Sequence, residues 1–176
     1  MRRSRIQRYS HQAGFSILEM MLATVILLVG LVAIAQLVPA SIFLNGQNRT
    51  NSSALVFAQR ELDQMVDQPL TVNSFTDALG NTCQLGNPAV INTIQGTNVL
   101  VFNNQATIDF TSSVPGYNFI FQDPNDPSNT TYDVRWAVVI TGNGSTASTR
   151  RFILGIRHAS GSGYFQPITL DTMVGK

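Results

Sequence analysis

The sequence predicts an α+β protein in which one long N-terminal α-helix packs on an antiparallel sheet of four or five strands. The part of the chain before Pro69 combines an apolar run with a stretch of helical periodicity. The part after Pro69 alternates short β-branched and aromatic segments with turn residues, which is the pattern of antiparallel strands. No internal repeat interrupts either part, so we expect one helix laid against one sheet.

An apolar run from Phe15 to Leu44 forms the first half of the predicted helix. It exceeds the about 20 residues that a helix needs to cross a bilayer, so it can span a membrane and still project from it. Glu19 is its only ionisable side chain. We expect Pro39 to kink or loosen the helix, because a proline inside a helix removes a backbone hydrogen bond. The alternative is that the helix simply leaves the membrane at Pro39.

Helical periodicity returns after a polar stretch from Asn45 to Ser53. Apolar side chains recur there at three- and four-residue intervals, which predicts an amphipathic helix with one face on the sheet. We therefore expect one helix from about Ser16 to Asp67, ended by Pro69. The predicted stripe consists of Leu55, Ala58, Leu62 and Met65, with Val66 beside them.

A basic leader precedes the apolar run. Such a charge distribution places the N-terminus in the cytoplasm and the C-terminal part outside. A secretory signal is normally cut after its apolar region, whereas the small-residue site in this chain, Ala13-Gly14, lies before it. A cut after Gly14 would leave the apolar segment at the start of the mature protein. The basic residues are Arg2, Arg3, Arg5 and Arg8, and no acidic residue precedes Glu19.

The segment Gly14-Phe15-Ser16-Ile17-Leu18-Glu19 resembles the processing site of type IV pilins and pseudopilins, known as a class III signal. In that family a prepilin peptidase cuts after the glycine and methylates the new N-terminal residue. The resemblance implies that Gly14 ends a removed leader, that Phe15 becomes N-methylphenylalanine, and that Glu19 is the carboxylate used in filament assembly. It also implies a pilin-like fold.

Glu19 has two readings in this setting. A carboxylate near the apolar phase costs on the order of a few kcal/mol, so its presence calls for a partner. In the first reading Glu19 lies at the membrane interface and complements the helix dipole. In the second, which the family resemblance favours, it pairs with the α-amino group of Phe15 that cleavage frees, in its own or a neighbouring subunit.

The resemblance and the patterns together divide the chain into four parts. We expect the periplasmic or extracellular head to carry the sheet and the apolar helix to form the membrane anchor and the filament core. The predicted parts are a removed leader (1–14), a transmembrane and filament-core helix (15–44), an amphipathic half of the helix (45–68) and a globular head (69–176).

Six strands and two tight turns are predicted in the head. Leu70 to Gly96 is expected to be a connecting loop with a short helix near Phe75 to Leu79. Asn103-Asn104 and Gly142-Asn143-Gly144 are the turn signals. The predicted strands are Asn98–Phe102, Ala106–Thr111, Tyr117–Gln122, Tyr132–Thr141, Thr149–His158 and Tyr164–Leu170.

The segment from Tyr132 to Val138, with Trp136 at its centre, and the segment Arg150-Arg151-Phe152 are similar to the paired strands of PilV-type minor pilins. In that subfamily a strand bearing a tryptophan often pairs with a second strand whose basic start leads into an apolar core. The similarity implies a minor pilin.

Charge and composition point away from several other classes. Charged residues make up 12% of the chain, and removing the four leader arginines leaves seven basic against ten acidic side chains. The mature chain has no basic block, so nucleic-acid binding is not supported. Its single mature histidine, His158, lies at a predicted strand end, and no zinc spacing, phosphate loop or serine-hydrolase motif is present. We therefore expect no enzyme and no cofactor.

Two local features of the head remain open. Asp123, Asn125 and Asp126 place oxygen donors in one loop, as calcium requires, although the same residues are ordinary turn formers. Cys83 is the only cysteine, so it forms no internal disulfide. We expect it to be a half-buried residue near a turn, the alternatives being a reactive thiol or an intermolecular bridge.

The favoured function is a minor pilin of a type IV pilus-like filament. Its partners would be other pilin subunits, the prepilin peptidase and an inner-membrane assembly platform, and it would move from the bacterial inner membrane to the cell surface. A minor pseudopilin of a type II secretion system shares every N-terminal feature and is the first alternative. A tip adhesin or DNA-uptake pilin is a further one, and a singly anchored membrane enzyme would need a site that the sequence does not show.

Overall fold

The computed structural model describes residues 14–124, 129–143, 146–159 and 167–175. They form one helix, α1, and nine strands, β1 to β9. The chain divides into two compact units, one up to Gly46 and one from Gln47 onward, which we call the anchor unit and the head unit. The predicted leader, residues 1–13 of which lie outside the described residues, precedes them.

Helix α1 spans Ile17–Val66 and includes Pro39. The predicted bounds, Ser16 to Asp67, are therefore confirmed within one residue at each end. Helical hydrogen bonding extends to the pair Asp67 N to Asp63 O, 3.1 Å apart, and Pro69 follows. The structure shows the helix continuing through Pro39, and the expected kink or loosening there stays a prediction.

The head-unit part of α1 buries one face, and the predicted stripe is confirmed at Ala58, Leu62 and Met65 but not at Leu55. Leu55 is 37% exposed, whereas Phe57, which the periodicity argument left out, is buried against the aromatic rings of Phe119 and Phe121. The buried face is wider than the predicted stripe and also includes a polar residue, Glu61, so hydrophobic spacing alone does not mark all of it. The buried side is Ala54, Phe57, Ala58, Glu61, Leu62 and Met65.

A five-stranded antiparallel sheet forms the core of the head unit. The strand order is β3-β7-β8-β9, and β6 also pairs with β7. The long hairpin of β7 and β8 confirms the predicted pairing of two strands around Gly142-Asn143-Gly144, of which Gly144 lies outside the described residues. The strands are β3 (Ile94–Gly96), β6 (Asn118–Gln122), β7 (Thr131–Asn143), β8 (Thr146–His158) and β9 (Ile168–Gly175).

Strands β4 (Val99–Phe102) and β5 (Gln105–Ile108) form a separate hairpin, which we call the ribbon. The predicted turn at Asn103-Asn104 is confirmed, since φ is positive at both residues (48° and 65°), as a two-residue hairpin loop requires. The prediction that these strands belong to the main sheet is wrong. Ile108 of the ribbon instead packs across the sheet with Ala137 and Ile153.

Two other predictions about the head are corrected. In place of a short helix near Phe75 to Leu79, β1 (Ser74–Thr76) and β2 (Thr82–Gln84) form a hairpin. The Asp77 carboxylate accepts hydrogen bonds from the backbone N–H groups of Leu79 (2.9 Å) and Asn81 (2.7 Å), which stabilises a turn over a helix. The last strand lies later than Tyr164–Leu170, of which 164–166 lie outside the described residues. Its register with β8 runs from Ile168 to Gly175.

The two faces of the main sheet have different roles. One face packs on α1 through Val134, Trp136, Phe152 and Leu154, all fully buried. The indole Nε1 of Trp136 donates to the carbonyl of Gln84 at 2.8 Å, so the polar end of this large side chain is satisfied within the core. The opposite face carries the ribbon.

Candidate functional site

The start of α1 places the predicted processing bond in non-helical backbone. Ser16 is the N-cap residue, since its Oγ accepts a hydrogen bond from the N–H of Leu18 at 3.2 Å and its carbonyl accepts from Met20 at 3.1 Å. Gly14 and Phe15 therefore precede the first helical turn. A peptidase can reach the bond between them without unwinding a helix.

Both residues of that bond are open to their surroundings. The Phe15 side chain is 80% exposed. A Cβ atom added at Gly14 would meet no atom within 4 Å. Among the described residues, no neighbouring atom therefore requires a glycine at position 14.

Glu19 occupies the third position of α1, close to unpaired backbone N–H groups of the first turn. Its side chain is exposed. Among the described residues its carboxylate takes part in no hydrogen bond or ion pair, so the subunit alone supplies it only with the helix dipole. Because Phe15 lies four residues earlier, cleavage after Gly14 would create an amine roughly one helical turn from this carboxylate.

The rest of the anchor unit offers a predominantly apolar surface. Every residue from 14 to 46 is exposed, and α1 is the one helix among the described residues that is long and apolar enough to cross a membrane. The hydroxyl groups of Thr24 and Ser41 donate to the carbonyls of Met20 (2.7 Å) and Leu37 (2.8 Å). These two side chains are therefore satisfied inside the helix and need no external partner.

The predicted calcium loop is only partly described. Asp123 is half-buried, whereas Asn125 and Asp126 lie outside the described residues. Asp133, which follows the loop, is bound by two guanidinium groups: Arg135 and Arg157 each donate to its carboxylate at 3.0 Å. Within the described ranges, no group of three His, Cys, Asp or Glu side chains could hold a metal ion.

Cys83 is fully buried, not half-buried as predicted. Burial, followed by the nearby carboxylates of Asp77 and Glu61, raises the pKa of the thiol to about 12. A thiol with so high a pKa forms almost no thiolate at neutral pH and is a poor nucleophile. The geometry thus speaks against an exposed reactive thiol in the folded head.

Glu61 is a buried ionisable residue that the sequence reasoning missed. Its side chain is fully buried in the head unit. Oε1 accepts from Arg60 (3.3 Å) and Gln64 (3.2 Å), while Oε2 has no partner among the described residues. Burial, followed by the charge of Asp77, raises the pKa of Glu61, and Arg60 and Gln64 oppose this rise only in part.

This raised pKa predicts how the stability of the head depends on pH. The folded state holds the Glu61 proton more tightly than the unfolded chain does, so the stabilisation is complete below the ordinary glutamate pKa of about 4.3. The free energy of unfolding should then fall as the pH rises from there through the raised pKa. Urea unfolding followed by the fluorescence of the single tryptophan, Trp136, measures this slope.

Glu61→Gln should remove this part of the slope and stabilise the head at neutral pH, because it removes a buried charge without changing the shape. Asp63→Asn is the matched control, since Asp63 lies on the same helix and is exposed. If Glu61→Gln and the unmodified protein show the same slope between pH 4.5 and 8, the account of Glu61 is wrong.

Comparison with known proteins finds a match to the N-terminal segment. The family model described as a prokaryotic N-terminal methylation motif matches residues 9–35, a segment that contains Gly14, Phe15 and Glu19. No curated protein and no solved structure matches the chain. The chain therefore carries a type IV pilin-like class III signal at the start of an α+β pilin-like fold.

Proposed function

We propose that this chain is a minor subunit of a type IV pilus-like filament, made as a membrane-anchored precursor and assembled through α1. The observation that carries the proposal is the methylation motif over residues 9–35 at the start of a helix whose apolar surface is bare in the subunit. A bare apolar helix of this length needs lipid or other helices around it. Lipid would surround the helix while the precursor lies in the membrane. The helices of other subunits would surround it in the filament.

Processing would occur between Gly14 and Phe15. A prepilin peptidase on the cytoplasmic side would remove residues 1–14, and methylation would convert Phe15 to N-methylphenylalanine. The non-helical, exposed backbone before Ser16 supports this assignment, because the bond is accessible without disturbing α1.

Glu19 would link processing to assembly. Its carboxylate lacks a cation among the described residues, and the amine of Phe15 exists only after cleavage. Inside a bundle of apolar helices this pair would be dehydrated, so their attraction would be larger than in water. Only processed subunits would then enter the filament with the carboxylate neutralised.

The remaining parts of the chain follow from this topology. The leader arginines would hold the N-terminus in the cytoplasm, residues 15–44 would span the inner membrane and later line the filament core, and residues 69–176 would form the outward-facing head, with residues 45–68 joining them. Other pilin subunits and an inner-membrane assembly platform would be the partners. The paired strands that carry Trp136 and Arg150 support the assignment to minor pilins.

Gly14→Leu tests the proposal in the native bacterium. The substitution should leave the full-length precursor in the membrane and absent from sheared surface filaments, because the proposed peptidase would cut after a glycine. A Cβ atom at Gly14 would meet no atom within 4 Å, so we expect the fold of the subunit to stay intact. Gln12→Ala, which also keeps the leader charge, should be processed normally. Normal processing of Gly14→Leu would contradict the assigned cleavage position.

The type II secretion alternative differs in its cellular effect. Loss of a pseudopilin abolishes the export of secreted proteins, whereas loss of a minor pilin changes the number or properties of surface filaments. A deletion strain that keeps its filaments but no longer exports proteins would favour the pseudopilin assignment.

A further inference from the structure

The β1–β2 hairpin meets the buried side of α1 near its tip, residues 77–81, which joins the two strands. Asp77 of the tip is 5% exposed, and both Glu61 of α1 and Cys83 of β2 are fully buried. The negative charge of Asp77 acts on Glu61, and the charges of both carboxylates act on the thiol of Cys83. Two carboxylates and a thiol therefore lie close together between the hairpin and α1.

Only one of the two carboxylates is fully satisfied. Asp77 accepts hydrogen bonds from the backbone N–H groups of Leu79 and Asn81, and from Nδ2 of Asn81 at 2.8 Å. Oε2 of Glu61 has no partner among the described residues. The cation beside Glu61 is Arg60, which lies 3.3 Å from Oε1 with its side chain 50% exposed, so water weakens the attraction. An ionised Glu61 therefore leaves a poorly compensated charge in this contact.

The tip is attached to α1 less firmly than the base of the hairpin is attached to the rest of the head. Among the described residues, one hydrogen bond connects the tip to α1, from the backbone N–H of Ala78 to Oε1 of Gln64 at 2.9 Å. At the base, the N–H of Gln84 donates to the carbonyl of Gly116 at 2.9 Å, and its carbonyl accepts from the buried indole of Trp136. The tip can therefore separate from α1 while the base stays in place.

The tip also covers the thiol. Sγ of Cys83 lies 3.9 Å from the backbone carbonyl of Asn81, which belongs to the tip. In this position burial and the two carboxylates raise the pKa of the thiol to about 12, so Cys83 carries no charge at neutral pH and does not react. Movement of the tip would bring water to Sγ and make the thiol reactive.

We propose that the β1–β2 hairpin is a pH-sensitive latch, whose tip separates from α1 when Glu61 is ionised and thereby uncovers the thiol of Cys83. The charged groups that face Glu61 are Arg60 on its own helix and Asp77 on the hairpin. Of these two, only Asp77 moves away with the tip, so opening relieves the repulsion between the carboxylates and hydrates Glu61.

The direction of the pH dependence follows from the closed state. Burial, followed by the charge of Asp77, raises the pKa of Glu61 while the tip is closed. Below the ordinary glutamate pKa of about 4.3, Glu61 is neutral in both states and the closed tip is fully stabilised. The open fraction should rise with pH from there through the raised pKa and stay constant above it. The latch lies in the head, so it is independent of the proposed processing at Gly14 and of the role of Glu19.

Labelling of Cys83 with dithiodipyridine, in the full-length protein in detergent micelles, tests the latch. When the tip closes faster than the reagent reacts, the rate is the open fraction multiplied by the reactivity of a free thiol. Dividing the rate of the unmodified protein by that of Glu61→Gln cancels the second factor. This ratio should rise at least about threefold between pH 4.5 and 8, which corresponds to a pKa difference of about half a unit.

Asp63→Asn is the matched control for this ratio, because Asp63 is an exposed carboxylate on the same helix. Its labelling rates should follow those of the unmodified protein at every pH. A ratio for Glu61→Gln that stays constant between pH 4.5 and 8 would overturn the proposal.

The dependence of labelling on urea separates opening of the tip from unfolding of the whole head. Opening of the tip exposes little surface, so low urea concentrations should change the labelling rate only slightly, whereas global unfolding responds steeply. Trp136 fluorescence measures the global transition in the same samples. If labelling of Cys83 depends on urea as steeply as global unfolding does, the thiol is reached only in the unfolded protein and the latch is refuted.

Discussion

Replacing Glu19 by alanine is expected to lower the amount of this subunit in sheared filaments tenfold or more, while the membrane pool remains. The Glu19 carboxylate is exposed and makes no hydrogen bond or ion pair among the described residues, so its loss should leave the subunit fold intact. The variant lacks the Glu19 carboxylate, which would pair with the α-amino group of Phe15. In the filament core that amine would be left uncompensated, at a cost of several kcal/mol.

Two variants sharpen this experiment. Glu19→Gln keeps the size and hydrogen-bonding capacity but removes the charge, so it should also fail to assemble if charge pairing is the cause. Thr24→Ala is the matched control in the same apolar segment, because the Thr24 hydroxyl is already satisfied by the Met20 carbonyl. Immunoblots of sheared and membrane fractions give the ratio. An unaltered filament level for Glu19→Ala would contradict the proposed role.

Replacing Arg150 by methionine is expected to destabilise the head by about 3–5 kcal/mol, the largest effect of any single side chain considered for the head. The Arg150 side chain is fully buried in the head unit. Its guanidinium donates to the backbone carbonyls of Pro69 (3.3 Å), Leu70 (2.7 Å) and Val72 (2.9 Å). These bonds attach the segment after α1 to β8, and their loss leaves the partly buried carbonyls of Leu70 and Val72 without this donor.

Arg151 provides a matched control on the same strand. It points to the opposite face, is 45% exposed and pairs with Asp171. An exposed ion pair of this kind contributes little, so Arg151→Met should change the free energy of unfolding by less than about 1 kcal/mol. Urea unfolding monitored by Trp136 compares the two. Equal midpoints for the two variants would show that Arg150 is not the attachment point.

The N-terminal site was predictable from sequence because it is local. The glycine, the aromatic residue and the glutamate lie within six positions of one another, and the helix cap at Ser16 lies among them. The bounds of α1 followed from periodicity and from Pro69 for the same reason. No long-range contact is needed to define any of these features.

The features that were missed depend on residues far apart in the sequence. The terminal nitrogens of Arg150 donate to carbonyls about eighty positions earlier, so nothing near Arg150 in the sequence indicates that it is buried. Glu61 lies on a face that would otherwise be apolar, and its environment includes Asp77 and Cys83 from the β1–β2 hairpin. The ribbon strands were recognised as strands, but alternation alone does not say which sheet a strand joins.

Intact-mass spectrometry of the protein from native membranes and from sheared surface filaments tests the central claim most directly. We expect the filament fraction to contain a species that begins at Phe15 and carries one added methyl group. We expect any full-length species to be confined to the membrane fraction. A protein found only in full-length form and only in the membrane would contradict the account, since the leader would then be no more than a topology signal.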